Sequence, residues 1–109
     1  MRYWGIALLF WVWPVLAQTF LPGTEDIPLM KDLTNVEETA SFDNPSERLV
    51  LISAETKIPP KSVFQFYSQS LGNLGWQEIK PHFFKRGNDS FTIEINQNQV
   101  QFRLSQSNS

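Results

Sequence analysis

This sequence predicts an α+β domain, with one amphipathic helix packed on an antiparallel sheet in the order ββαβββ(β). Three observations carry the prediction. One stretch, from residue 60 to about Asn73, repeats apolar side chains at three- and four-residue intervals, the spacing of a helix that lays one stripe on a core. Residues 90–96 and 100–104 instead alternate strictly between apolar and polar, as half-buried antiparallel strands do. No regular succession of strands and helices is present to force parallel pairing.

Residues 1–17 read as a secretory leader. Arg2 supplies a basic start, Ile6 to Trp13 an apolar centre, and Val15-Leu16-Ala17 the small residues three and one before a cut. A retained membrane anchor is the competing reading, but Pro14, Gln18 and Thr19 interrupt the run well short of the roughly 20 apolar residues that a bilayer span needs. With no cysteine in the chain, a lipid-modified cysteine after the leader is ruled out. The expected product starts at Gln18 and is secreted, or periplasmic in a Gram-negative host, touching the membrane only transiently through its leader.

Residues 18–35 carry Pro22-Gly23, Pro28 and scattered acids, so an extended arm is expected there. Its apolar members Phe20, Leu21, Ile27, Leu29 and Met30 are too many for a linker and point to docking on the domain, residues 36–105. Residues 36–42 make a short strand, with Glu38 interrupting the apolar set Val36, Ala40 and Phe42, and residues 43–46 make a turn by composition. Residues 48–55 hold the continuous apolar run Leu49-Val50-Leu51-Ile52, the mark of a strand covered on both faces. One helix covers one face, so the other face is expected to need the arm, a second copy or a partner.

The helix opens at Pro59-Pro60, with proline suited to a first turn, and its stripe is Val63, Phe66, Tyr67, Ser70, Leu71 and Leu74. Gly72 or Gly75 ends it. Residues 76–80 and 83–86 follow as strand pieces separated by Pro81, a site of bulge or turn. Gly87-Asn88-Asp89 and Gln97-Asn98 are hairpin turns, and the polar residues 106–109 form a disordered tail.

Taken together, Val63-x-x-Phe66-Tyr67-x-x-x-Leu71-x-x-x-Gly75-Trp76, Asp26-Ile27-Pro28-Leu29-Met30 and Phe42-Asp43-Asn44-Pro45 followed by Arg48 resemble an uncharacterised family of short secreted proteobacterial proteins. The resemblance covers residues 26–104. The chain departs from the family pattern at Lys31-Asp32, where a Pro-Gly pair is usual, and at Ser46-Glu47. The resemblance implies a bacterial envelope setting and transfers no activity.

Composition narrows the functional classes. Losing Arg2 with the leader leaves eight basic residues against eleven acidic ones, which offers no basic field for nucleic acid. The absence of cysteine removes thiol catalysis and thiolate metal sites and leaves the apolar core to hold the fold alone. A hydrolase needs a nucleophile, a base and an orienting group in reach of one another. The only histidine, His82, reads as a surface or core residue beside Pro81, and Ser62, Ser68, Ser70 and Ser90 lack a nucleophile-elbow context. Glu78 and Glu94, the best pair for glycoside chemistry, sit at polar phases of their strands. Asp43, Asn44 and Glu47 do not make a calcium loop, and Asn88-Asp89-Ser90, a formal glycosylation acceptor, is explained by hairpin geometry.

No catalytic, cofactor or metal residue is therefore expected. The expected function is a non-enzymatic structural or protein-interaction module, whose partner is an envelope protein or the chain itself as a homo-oligomer. The possible interaction face is Leu49, Val50, Leu51, Ile52, Phe83 and Phe84. The alternative is a small-molecule or peptide binder that uses the concavity between helix and sheet.

Overall fold

Three tight turns organise the C-terminal half, and each sets one residue in the left-handed region. In the computed structural model, which describes residues 20–107, these are His82 (φ 68°), Gly87 (φ 65°) and Gln97 (φ 60°). They join β3 (Gln77–Lys80), β4 (Phe83–Arg86), β5 (Asp89–Asn96) and β6 (Gln99–Ser107) into an antiparallel meander. Before the meander come β1 (Leu33–Asp43), β2 (Glu47–Thr56) and the helix α1 (Pro60–Asn73). The six strands form one antiparallel sheet in the order β1-β2-β6-β5-β4-β3, so β6 returns to pair with β2 and joins the two halves of the chain. The leader expected at residues 1–17 lies outside the described residues.

Alternation on the strands decides what is inside. Val50, Ile52 and Ala54 on β2, Val100, Phe102 and Leu104 on β6, Phe91 and Ile93 on β5 and Phe84 on β4 all turn to one face and are buried. Onto that face α1 lays Val63, Tyr67 and Leu71, each with no exposed surface. Tyr67 sits at the centre, its ring 5.3 Å from Phe102 and 6.4 Å from Phe91. Leu74, expected in the helix stripe, is exposed, because the helix has ended there and Leu74 is its C-cap.

The helix end explains the Gly75-Trp76 pair. Trp76 N–H donates to the Leu71 carbonyl and Gly75 N–H to the Gly72 carbonyl, with Gly75 at φ 91°. That is the Schellman pattern, which needs a left-handed residue and brings the residue after it back against the last turn. Trp76 is thereby folded into the core, 6.1 Å from Phe91 between ring centroids, and the Arg86 guanidinium lies 4.5 Å over its outer face.

The arm does not cover the second face of β2. It packs on the helix side instead, where Leu21, Ile27 and Met30 enter the same buried cluster as Val50 and Tyr67. Tyr67 fixes it there: the phenol O–H donates to the Pro28 carbonyl at 2.9 Å, and Met30 N–H donates to the phenol oxygen at 3.3 Å. Burial pushes the phenol above its ordinary value, while the Met30 hydrogen bond acts in the opposite sense. Arg86 and Arg48 tie the same arm from the sheet, through Asp26 at 3.0 Å and the Gly23 carbonyl at 2.8 Å. One helix leaves part of that face bare, and the arm fills it.

Two boundaries differ from expectation. β1 starts at Leu33 and runs for 11 residues, because Asn35 at φ 50° and register shifts between Thr34 and Glu37 and between Glu38 and Ala40 break its alternation without ending its pairing. At the other end, Gln106 and Ser107 are not a loose tail but pair with Arg48 and Glu47 of β2. A polar composition is no bar to a strand whose partner supplies the ladder.

Candidate functional site

The proposed interaction residues divide by strand alternation. Val50, Ile52 and Phe84 are core residues sealed under α1 and the arm, so they present nothing to a partner. Leu49, Leu51 and Phe83 lie half-buried on the opposite face, which nothing in the described residues covers. Phe42 stands directly across from Leu49 on β1 and is 62% exposed. The resulting strip, Phe42-Leu49-Leu51, is flanked by Arg103 across from Leu51, then by Thr92, which pairs with Phe83. Lys80 Nζ lies 5.4 Å over the Phe83 ring, so even this outward aromatic is partly engaged. The apolar run at 49–52 therefore needs no second cover to keep its two core members dry.

A second feature lies at the far end of the sheet. A groove of about 860 Å³ runs between the start of α1 and the end of β5, bounded by Phe64, His82, Ile93, Ile95 and the polar residues Glu94, Asn96, Gln97, Gln99 and Gln101. That volume falls within the roughly 300–1,000 Å³ of ordinary ligand clefts. Phe64 and His82 stack face to face with ring centroids 3.4 Å apart and an interplanar angle of 6°. A second groove of about 810 Å³ shares that stacked pair and continues along α1 past Lys61, Gln65 and Ser68 to Glu78. Sequence reasoning missed Phe64 and the end of β5 because the groove arises from a chain departure at His82, which no periodicity announces.

Of the acid, base and nucleophile candidates, Ser68, Glu78, His82 and Glu94 line these grooves, and of these only Ser68 and Glu78 are hydrogen-bonded to one another through their side chains. Ser68 O–H donates to Glu78 Oε1 at 2.9 Å, and the backbone N–H of His82 donates to Glu78 Oε2 at 3.1 Å. The His82 ring stacks on Phe64. Glu94 stands on the face of β5 opposite to its buried neighbours Ile93 and Phe91. Asn44, weighed as an oxygen ligand, uses its side-chain carbonyl to cap its own turn, accepting from Ser46 and Glu47 N–H at 2.8 and 2.9 Å. Among the described residues no three His, Asp or Glu side chains gather as a metal site, and no helix is long and apolar enough to cross a membrane.

Comparison with protein-family models, with curated proteins and with solved structures finds no match.

Proposed function

We propose that this chain is a small exported, non-enzymatic domain that works through contacts with other proteins. The observation that carries the reading is the division of its sheet. One face is sealed by α1 and the arm, whereas the other is left open with Phe42, Leu49, Leu51 and Phe83 on it. Export is supported by the leader-like composition of residues 1–17 and by the resemblance to short secreted proteobacterial proteins. The partner is an envelope protein or a second copy. Sedimentation of the mature chain and of Leu51→Glu, alone and with envelope extract, tests this. A complex that forms with the parent and is lost in the variant is the expected result; a parent that stays monomeric and unbound in both conditions contradicts the open face as a contact surface.

The alternative of a peptide or small-molecule binder is favoured by a different observation, the groove at Phe64 and His82. It wraps the edge of the sheet beside the start of α1, with Phe64, Ile93 and Ile95 on the helix side and the amides of Asn96, Gln99 and Gln101 on the other phase of the strands.

A further inference from the structure

We propose that the outer edge of β5 at Ile93–Gln97 takes an extended polypeptide segment of another protein as an added strand, seated in the groove walled by Phe64 and His82. The proposal rests on the interaction reading and names the chemistry of one partner.

The backbone supplies the reason. Ile93 N–H donates to the His82 carbonyl at 3.1 Å, so at Ile93 the main-chain groups of β5 face the β4 side of the sheet. By the two-residue period of a strand, so do those of Ile95. The ladder stops there. His82 turns into the left-handed region at φ 68°, and its own N–H goes to the Glu78 carboxylate instead of to the Ile93 carbonyl. Pro81, next along the chain, has no N–H to offer. The Ile93 carbonyl and both the N–H and the carbonyl of Ile95 thus have no ladder partner on that side among the described residues. Acceptor, donor and acceptor set out along an extended strand are the complement of another extended backbone, the arrangement used in strand addition.

The surroundings select the kind of segment. Ile95 stands across from buried Val100 on the helix side, where Phe64 also lies, while Glu94 faces the opposite side with Gln101. The residues bounding the groove include one carboxylate and several amides and no lysine or arginine; the nearest cations are Arg103, one pair further along the Glu94 face, and Lys61 in the adjoining groove. An incoming strand therefore places alternate apolar residues against Phe64 and Ile95, and basic residues on the side of Glu94. A second copy of this chain is a poor occupant. Its two terminal strands are the bulged β1 and the four-residue β3, and neither offers a straight edge that enters a groove.

The test uses the mature protein labelled with ¹⁵N and the blocked peptide acetyl-KVKVKV-amide. Two further peptides are N-methylated at alternate positions, one on the lysines and one on the valines. The expected result is shifts at residues 93–97, Phe64 and His82 that saturate at micromolar to low-millimolar peptide. One methylated isomer should bind like the parent and the other about tenfold or more weakly, because only one set of amides faces β5. The glutamate analogue acetyl-EVEVEV-amide should bind more weakly. Equal binding by both methylated isomers overturns the added strand. Shifts confined to Leu49, Leu51 and Phe83 overturn this site while leaving the interaction reading standing. No shifts at millimolar peptide overturn the inference, and the sedimentation result then decides the broader reading separately.

Discussion

The outer edge of β1 and the free half of β5 are both unpaired strand edges, and they are built in opposite ways. β1 is long, but two register shifts and the left-handed Asn35 twist it out of line, and Glu37 and Glu38 put charge along it. Those are the devices that keep an edge from recruiting another chain. Residues 93–96 of β5 carry neither a register shift nor a left-handed residue, and a single charge, Glu94. They alternate regularly, keep their pairing to β6, and are recessed beside α1 and the β3–β4 turn rather than twisted away. A fold that guards its longest edge and leaves a short one straight and recessed separates indiscriminate pairing from selective pairing.

The two faces of the sheet repeat the contrast side by side. Ile52 and Leu51 are adjacent in β2, one buried under α1 and the arm and the other half-buried on the open face. Ile52→Ala should therefore cost about 2–5 kcal/mol in denaturant unfolding, the usual range for emptying a packed aliphatic site. Leu51→Ala should cost under about 1 kcal/mol, since much of its surface already meets water. Equal losses at the two positions would show that something covers the open face after all.

The covered face is itself made of two parts, and Tyr67 is the join. In Tyr67→Phe the Pro28 carbonyl and the Met30 N–H both lose their partner, which should cost about 1–3 kcal/mol. Amide exchange in residues 21–30 should accelerate more than in the meander. The same phenol makes stability depend on alkaline pH. In the unfolded chain it ionises near pH 10, whereas in the fold burial keeps it protonated well above that. Above pH 10 the unfolded chain holds fewer protons than the folded one, so stability should fall as pH rises, by up to about 1.4 kcal/mol per unit from this group. Comparing unfolding of the parent and Tyr67→Phe between pH 8 and 11 isolates that slope, and parallel curves would mean the phenol titrates in the fold.

The smallest expected effect is at the guarded edge. Glu37→Val with Glu38→Val should leave unfolding within about 0.5 kcal/mol of the parent, as at most exposed sites. It should nonetheless make the sedimentation coefficient rise with concentration, because the charges act against pairing rather than for folding. A double variant that stays monomeric would assign the guarding to the register shifts alone.

Which of these features could be read from the sequence follows from where periodicity is strong. The helix, the meander and the buried Trp76 were legible because Val63, Tyr67 and Leu71 keep a helical interval and Phe91, Ile93, Val100, Phe102 and Leu104 keep a strand interval. Gly75 and Trp76 are placed by packing too, since together they form the helix stop. β1 was read short because an edge strand exposed on both faces has no burial to enforce alternation. The side of the sheet chosen by the arm was illegible, since apolar residues spaced by prolines say that a segment docks but not where. It is the Tyr67 hydroxyl, silent in any hydropathy pattern, that selects the place. Of the run at 49–52, Val50 and Ile52 are buried and only Leu49 and Leu51 reach the open face, because a strand's period of two sends every second residue inward. The groove at Phe64 depends on one backbone angle at His82, which sequence spacing does not reveal.

Hydrogen exchange at single amides of β5 tests the unpaired edge most directly. Ile93 N–H is held by the His82 carbonyl, and the amides of Thr92 and Glu94 face β6, whereas Ile95 N–H faces the groove with no partner among the described residues. In the folded protein the Ile95 amide should exchange at least about a hundredfold faster than that of Ile93, and protection should be regained when acetyl-KVKVKV-amide is bound. Protection of Ile95 equal to that of Ile93 in the free protein would mean the edge is already paired and the groove is not open for a strand.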